Sequence, residues 1–248
     1  MKILVALKQV PDTETKVKVA ADGRSLDPAD VKWITSPYDE YALEEALRLK
    51  EAKGAEVTAL SYGGDSVKEV LRNALALGAD AAVHLKGGAT DPLAVATALA
   101  GYAQDKGFSL IFAGNKGMGG DNASVGPMLA ELLGMAQANV VVKFEATDSG
   151  FRAEREIEGG TEVVEGAFPA VITAQKGLNE PRYASLKGIM AAKKKAIEEV
   201  EAAPAADATA VAALALPPAR PEGRRLEGEP AAQAAALLAA LKDEAKVL

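Results

Sequence analysis

Residues 2–8, Lys-Ile-Leu-Val-Ala-Leu-Lys, form a short aliphatic run closed off by Pro11, the pattern of a buried strand. Residues 15–20 alternate polar and apolar and predict an exposed edge or hairpin strand. Ser36-Pro37-Tyr38-Asp39 then leads into a helical stretch, 40–53. Its Ala42, Leu43, Ala46, Leu47 and Leu49 share one side, and Gly54 suits the position just past its end.

Three strand–helix units follow. Residues 56–62 read as a strand, then Gly63-Gly64-Asp65 and a helix to Leu77, with Ser66 and Glu69 spaced as a capping box. Residues 81–85 read as a strand, and Asp91-Pro92 opens a helix to Lys106 with proline at its favoured first position. Residues 109–113 read as a strand, followed by a glycine-rich loop and a helix near 123–133. Strands alternating with helices of this length predict βαβ units and a parallel sheet covered on both faces.

The texture changes after Gly134. Residues 137–145, 151–157 and 162–165 look like successive strands joined by polar turns, an antiparallel extension, and 168–174 looks like a return strand. Residues 187–200 carry a basic run inside a helical pattern. Residues 201–230, rich in alanine, proline and charge, read as an extended linker. Residues 231–246 read as an amphipathic helix with Ala234, Leu237, Leu238 and Leu241 on one face. The expected organisation is an α/β domain over 1–200, with a mostly parallel sheet flanked by helices, and a linker and helical arm over 201–248. One isolated helix cannot bury its apolar face on itself, so the arm packs back on the domain or embraces another subunit.

Composition narrows the chemistry. At 248 residues and 49% hydrophobic the chain can build a real core, which excludes disorder as its main state. With aromatics at 4%, that core rests on alanine, valine, leucine and isoleucine. The absence of cysteine excludes disulfides, thiolate catalysis and cysteine-held iron–sulfur or zinc sites, and a single histidine, His84, excludes a histidine-rich metal site. Electrons, if the protein handles them, must travel on an organic cofactor. A net charge of -7 argues against a general nucleic-acid binder. No apolar run reaches the length of a membrane span, and the N-terminus reads as a strand, not a signal peptide, so a cytoplasmic location is expected.

The segment richest in possible chemistry is Gly114-Asn115-Lys116-Gly117-Met118-Gly119-Gly120-Asp121-Asn122-Ala123-Ser124-Val125-Gly126. It follows an apolar strand and enters a helix. Glycines allow close backbone approach and positive φ, and a helix start presents free N–H groups to an anion. Asp121 or Asn122 is placed to cap that helix. Neither standard nucleotide fingerprint fits: Asn122 stands where the dinucleotide motif wants a small residue, and Gly120-Asp121 stand where a P-loop needs Lys and Ser/Thr. The loop is a phosphate-binding cradle or an ordinary strand-to-helix turn. His84 reads as a structural histidine, Glu44/Glu45 and Glu198/Glu199 as solvated charge, and Ser124 has no second histidine with which to form a catalytic triad.

Residues 176–197 carry a resemblance. Asn179-Glu180-Pro181-Arg182-Tyr183, then Ser185-Leu186, Ile189-Met190 and Ala192-Lys193-Lys194-Lys195, closely resemble the signature of the electron transfer flavoprotein beta subunit. Residues 2–10, the Ser36–Asp39 turn with its glutamate-rich helix, Ala-Leu-Ala-Leu-Gly-Ala-Asp at 74–80 and Arg-Glu-Ile-Glu-Gly-Gly at 155–160 look like the same family. The likeness runs from residue 1 to about 200.

The resemblance implies a Rossmann-like, adenine-nucleotide-binding three-layer domain of the α-hydrolase-like kind. It would belong to a heterodimer with an alpha subunit that holds most of one FAD. This chain would bury a structural AMP and catalyse no bond chemistry. Electrons would come from acyl-CoA and other dehydrogenases and leave to a membrane quinone oxidoreductase. Ala6, Ser36, Pro37, Tyr38, Asp39, Tyr62 and residues 114–125 match the family's AMP contacts, with Ala123, Ser124 and Val125 offering backbone N–H groups to the phosphate. Some members have cysteine at the position of Tyr62. Val10 to Thr13 matches a segment near the flavin, where some members have tyrosine in place of Thr13. Residues 179–190 look like the family's recognition loop. Leu186 would be its apolar anchor, Tyr183, Ile189 and Met190 its surroundings, and Lys193 and Lys194 a means of steering acidic partners. The alternatives are a bifurcating-type subunit with a second FAD in place of AMP, or a stand-alone ATP-binding enzyme or sensor.

Overall fold

The first aliphatic run becomes the centre of the molecule because, between its terminal lysines, it has no polar side chain to keep in water. Ile3, Leu4 and Val5 of β1 (Lys2–Ala6) are completely buried. The structure, a computed structural model, describes residues 1–220 and 222–248. They fall into two units, Met1–Ala213 and Leu214–Leu248.

In the first unit β1 is followed by β2 (Gln9–Pro11), β3 (Trp33–Thr35), α1 (Pro37–Lys53), β4 (Glu56–Gly63), α2 (Lys68–Leu77), β5 (Ala81–Lys86) and α3 (Pro92–Ala103). Then come β6 (Leu110–Gly114), α4 (Val125–Leu133), β7 (Ala136–Ala146), β8 (Gly150–Ile157), β9 (Gly160–Ala167), β10 (Ala170–Ala174), α5 (Leu186–Ala192) and β11 (Glu198–Glu201).

The described residues form a nine-stranded sheet in the order β11-β5-β4-β1-β6-β10-β7-β8-β9, parallel from β11 to β7 and antiparallel through β8 and β9. The pleat sorts alternate residues to opposite faces. Ile3, Val5, Leu110 and Phe112 pack with α1 and α2, while Leu4, Ile111 and Val171 pack with α3 and α4. This is the expected three-layer α/β fold with its antiparallel extension. Chain order reverses at β1, with β4 on one side and β6 on the other. In open parallel sheets ligands bind beyond the carboxyl ends of strands at such a switch point.

Several elements differ from expectation. Residues 15–20 form no strand; only Val19 bridges to Leu26. Val17 is exposed, so no buried surface rewards the alternation. The small antiparallel pair is instead β2 with β3. Ser66 does not cap a helix: it lies in a 3₁₀ turn, Asp65–Val67, and α2 begins after it. The basic stretch is not one helix to residue 200. α5 stops at Ala192, and residues 198–201 turn into β11, which extends the sheet along β5. The α3 helix ends at Ala103, where Asp105 and Gly107 enter positive φ. In the second unit α6 (Pro230–Ala239) continues as a wider π-helical stretch, Ala240–Glu244. Among the described residues no helix is long and apolar enough to cross a membrane, and no cluster of His, Asp and Glu is arranged to hold a metal.

Candidate functional site

A cavity of about 400 Å³ lies beyond the carboxyl ends of β1, β4 and β6, at the switch point. That falls within the about 300–1,000 Å³ typical of small-molecule pockets. One wall is apolar, made by Leu60, Val67, Val95 and Leu99; the other is the glycine-rich loop with Lys8 and Lys116.

The loop takes its shape from its backbone. Gly119, Asp121 and Ala123 all have positive φ, at 87°, 50° and 49°. Two of the three are not glycine, so the loop holds conformations that L-residues seldom adopt. The Asp121 N–H donates to the Gly117 carbonyl (3.0 Å), and Asn115 donates to Ala174 on β10 (2.8 Å). Ser124 precedes the first helical residue of α4, and no side chain caps it, so neither Asp121 nor Asn122 serves as the expected cap. A helix starting here leaves the N–H groups of Ser124, Val125 and Gly126 without an intrahelical acceptor, and Pro127 has none to offer. With the helix dipole behind them, these groups make an anion-binding end facing the cavity. Asp121 pairs with Lys116 (3.4 Å), whose ammonium also lies 5.6 Å from the centre of the Tyr38 ring.

Asp39 fixes the crevice. Its Oδ2 accepts the Lys8 N–H (2.6 Å) and its Oδ1 the Gly114 N–H (2.7 Å), so one carboxyl group ties the end of β1 to the end of β6. Burial pushes its pKa up to about 7, against the pull of those two amides and of the Lys8 charge. The ordinary value is 3.8. Between about pH 4 and 7 the folded protein therefore keeps a proton that the unfolded chain has released. This group makes stability fall as pH rises through that window. Asp39→Asn is expected to flatten the difference in urea midpoint between pH 5 and pH 8; an unchanged difference would show that Asp39 does not titrate there.

Of the residues singled out from sequence, the cavity gathers Ala6, Asp39, Tyr62, Gly114, Asn115, Lys116, Gly117, Gly120, Asp121, Asn122, Ala123, Ser124 and Val125. Thr13, Ser36, Pro37, Tyr38, Met118 and Gly119 do not line it. Ser36 is fully buried, and its Oγ accepts a long bond from the Met118 N–H (3.5 Å), which ties the turn to the loop. Sequence reasoning missed Lys8, Gln9, Ala89 and Thr90, as well as the apolar wall. Lys8 was visible as the first polar residue after the opening strand.

His84 is buried; its Nε2 donates to the Gly63 carbonyl (2.9 Å) and its Nδ1 has no partner. Its side chain lies outside the cavity lining, in keeping with a structural role.

A second feature lies on the face carrying α1. Tyr183 is 98% exposed and Leu186 83% exposed, with Ile189, Met190, Lys193 and Lys194 also on the surface. Leu186 is therefore no core residue of the short helix that it begins. The segment behind it is fastened firmly. Asn179 Nδ2 donates to the Tyr41 carbonyl and to Glu45 (3.0 Å each). Arg182 grips Glu44 through Nε (2.8 Å) and Nη2 (3.0 Å), and also pairs with Glu51. Glu44 and Glu45 are thus buried anchors, not the solvated charges that two adjacent acids on a helix suggest. Ser185 caps α5 by accepting the Gly188 N–H (3.0 Å). Arg72 of α2 donates to the carbonyls of Ala192 and Lys195, and Lys195 Nζ donates to the Ala79 carbonyl (2.8 Å). Lys195 is thereby committed to the fold, while Lys193 and Lys194 stay in solvent.

A family model described as the electron transfer flavoprotein domain matches residues 25–205. The chain is 40% identical to the electron transfer flavoprotein subunit beta of Bacillus subtilis and 43% identical to that of Bradyrhizobium diazoefficiens, in both cases across 100% of each chain. It is 42% identical to the mitochondrial subunit beta of Oryza sativa subsp. indica over 81% of each chain. Two of these alignments cover the whole chain, so the likeness continues past Val200, where the signature residues give out.

Proposed function

Since the chain belongs to the electron transfer flavoprotein beta-subunit family, we propose that it is one half of an electron carrier, holding AMP in its cavity and sharing one FAD with an alpha subunit. The observation that carries this reading is the cavity at the switch point, with an apolar wall facing a helix start rich in free N–H groups. An adenine ring suits the wall of Leu60, Val67, Val95 and Leu99. A phosphate suits Ser124, Val125 and Gly126, with Lys8 and Lys116 at the same side. The FAD, when bound, supplies the group that takes up and releases electrons. On this proposal Val10 to Thr13 neighbours the flavin; Thr13 is exposed and has no ring to stack on it. The second unit, whose α6 has no buried residue and leaves Leu237 and Leu238 half-exposed, engages the alpha subunit.

In this reading the chain performs no bond chemistry. It docks acyl-CoA and other dehydrogenases that give electrons, and a quinone oxidoreductase that receives them. Tyr183 and Leu186 stand out from a clamped base, which favours short-lived contact: one leucine contributes about 1.5–3 kcal/mol when fully buried. Leu186→Ala in the heterodimer is expected to slow reduction by a partner dehydrogenase by about 10- to 100-fold, with flavin content unchanged. Loss of flavin or an unchanged rate would remove Leu186 from the docking site.

The direct test is to co-produce the chain with its alpha subunit, release the bound nucleotides with acid and quantify them. One flavin and one AMP per heterodimer is expected. Two flavins and no AMP would replace AMP with a second FAD, as in a bifurcating type. ATP on a lone colourless chain would overturn the carrier and leave an ATP-binding enzyme or sensor.

A further inference from the structure

Resting on the reading of the cavity as an adenine-nucleotide site, we infer that Asp207 and Thr209 are positioning residues for it, holding one wall in place from behind. Both lie in a stretch whose composition gives no reason for them. Between Glu201 and Arg220 every other side chain is alanine, valine, leucine or proline. The two polar residues of that stretch reach the same place, the rim formed by the loop after β5 and the first turn of α3.

The contacts are reciprocal. Asp207 Oδ1 accepts both the Thr90 and the Asp91 N–H, at 2.9 Å each. Asp91, only 5% exposed, returns the grip: its Oδ2 accepts the Thr209 N–H (3.1 Å) and the Thr209 hydroxyl. Its Oδ1 meanwhile caps α3 by accepting the N–H groups of Leu93 (2.9 Å) and Ala94 (3.3 Å). One carboxylate thus joins the strap to the helix start.

The same rim is held from inside by Tyr62. Its hydroxyl accepts the Ala89 N–H (2.9 Å), and its ring fills the space a side chain at Gly87 would need. Tyr62, Ala89, Thr90 and Pro92 line the cavity. The wall is therefore gripped by Tyr62, which lines the cavity, and by Asp207 and Thr209, which do not. The strap reaches this position because β11 pairs with β5 and the Ala202 N–H donates to the Lys86 carbonyl (2.9 Å). Releasing the strap frees two amide donors and the second oxygen of the carboxylate that caps α3, and leaves the wall on Tyr62 alone.

The test uses the full chain with its alpha subunit, loaded with AMP, and follows AMP release after dilution alongside a urea unfolding curve. Asp207→Ala/Thr209→Val is expected to release AMP about tenfold faster, since the Thr90 and Asp91 N–H groups and the buried Asp91 carboxylate lose their partners. Asp207→Asn/Thr209→Ser keeps an acceptor and a hydroxyl and is expected to restore the rate to nearly that of the unaltered chain. Should the double variant not fold, Thr209→Val alone, which removes one hydroxyl, is expected to speed release by about threefold. A lower urea midpoint with release unchanged would make the strap merely structural and overturn the inference. An unaltered chain that takes up neither AMP nor FAD would instead overturn the nucleotide reading beneath it.

Discussion

Arg182→Ala is expected to lower the stability of the protein by about 2–4 kcal/mol and to free the Tyr183–Leu186 surface from its fixed position. A buried ion pair stripped of one partner typically costs about 3–5 kcal/mol, because the remaining charge is left desolvated. Glu44 is such a charge, 5% exposed and gripped by Arg182 through Nε and Nη2, with the Arg182 N–H at 3.2 Å as well. Two features bring the figure below the upper end. Arg48 still reaches Glu44 (3.2 Å), and about a third of the Arg182 side chain is in solvent. The exposed pair with Glu51 adds little of its own. Both carboxylates hold the Arg182 guanidinium above its ordinary pKa, so its charge is constant across any working pH. Urea unfolding measures the loss. Arg182→Ala combined with Glu44→Gln is expected to recover part of it, since the second change removes the stranded charge. A double variant no better than the single one would show that the lost packing of the arginine stem, not the charge, is what matters. Reduction by a dehydrogenase gives the functional readout: Arg182→Ala is expected to slow it even though Leu186 is intact.

That clamp also shows where sequence reading stops. The order of strands and helices was legible because each central strand is a short, mostly apolar run and the helices open or close on Ser36-Pro37, Gly54, Asp91-Pro92 and Gly134. The glycine-rich loop was legible too, since closely spaced glycines between a strand and a helix have few uses. Glu44 and Glu45 were not. Two adjacent acids on a helix look solvated until their partners are known, and Asn179 and Arg182 come more than 130 residues later. β11 was hidden for a related reason. Glu-Glu-Val-Glu has one apolar residue, and it becomes a strand only because β5 offers an edge and because Lys68 (2.7 Å) and Lys86 (2.6 Å) bind Glu199. Those two lysines hold the Glu199 carboxyl down at about 2. Asp207 and Thr209 looked like incidental polar residues in a linker. Where a residue's role depends on a distant partner, the local pattern carries no trace of it.

Gly114→Ala is expected to cost about 2–5 kcal/mol and to empty the cavity of nucleotide, although it adds a single methyl group. Gly114 is the last residue of β6, where the chain leaves the sheet for the glycine-rich loop. A Cβ there would collide with Asp39 Oδ1, and would come within 2.7 Å of the Tyr38 Cβ and 2.8 Å of the Asp39 backbone nitrogen. Two of those three atoms belong to the first turn of α1 or lie next to its backbone, so a side-chain rotation cannot relieve the clash. β6 and α1 must therefore move apart, and the Asp39 carboxyl is carried away with α1. The N–H groups of Lys8 and Gly114 then lose the geometry of their shared acceptor, and the tie between β1 and β6 is broken at the point where the cavity opens. Gly119→Ala is the matched control. It lies in the same loop, nothing stands within 4 Å of its added Cβ, and it does not line the cavity. Its φ of 87° makes alanine there strained, at about 1 kcal/mol, without touching the Asp39 tie. Nucleotide content should therefore be lost in Gly114→Ala and retained in Gly119→Ala. Equal retention in both would show that the Asp39 tie between the two strand ends is not what shapes the site. Equal loss would place the requirement in the conformational freedom of the loop as a whole.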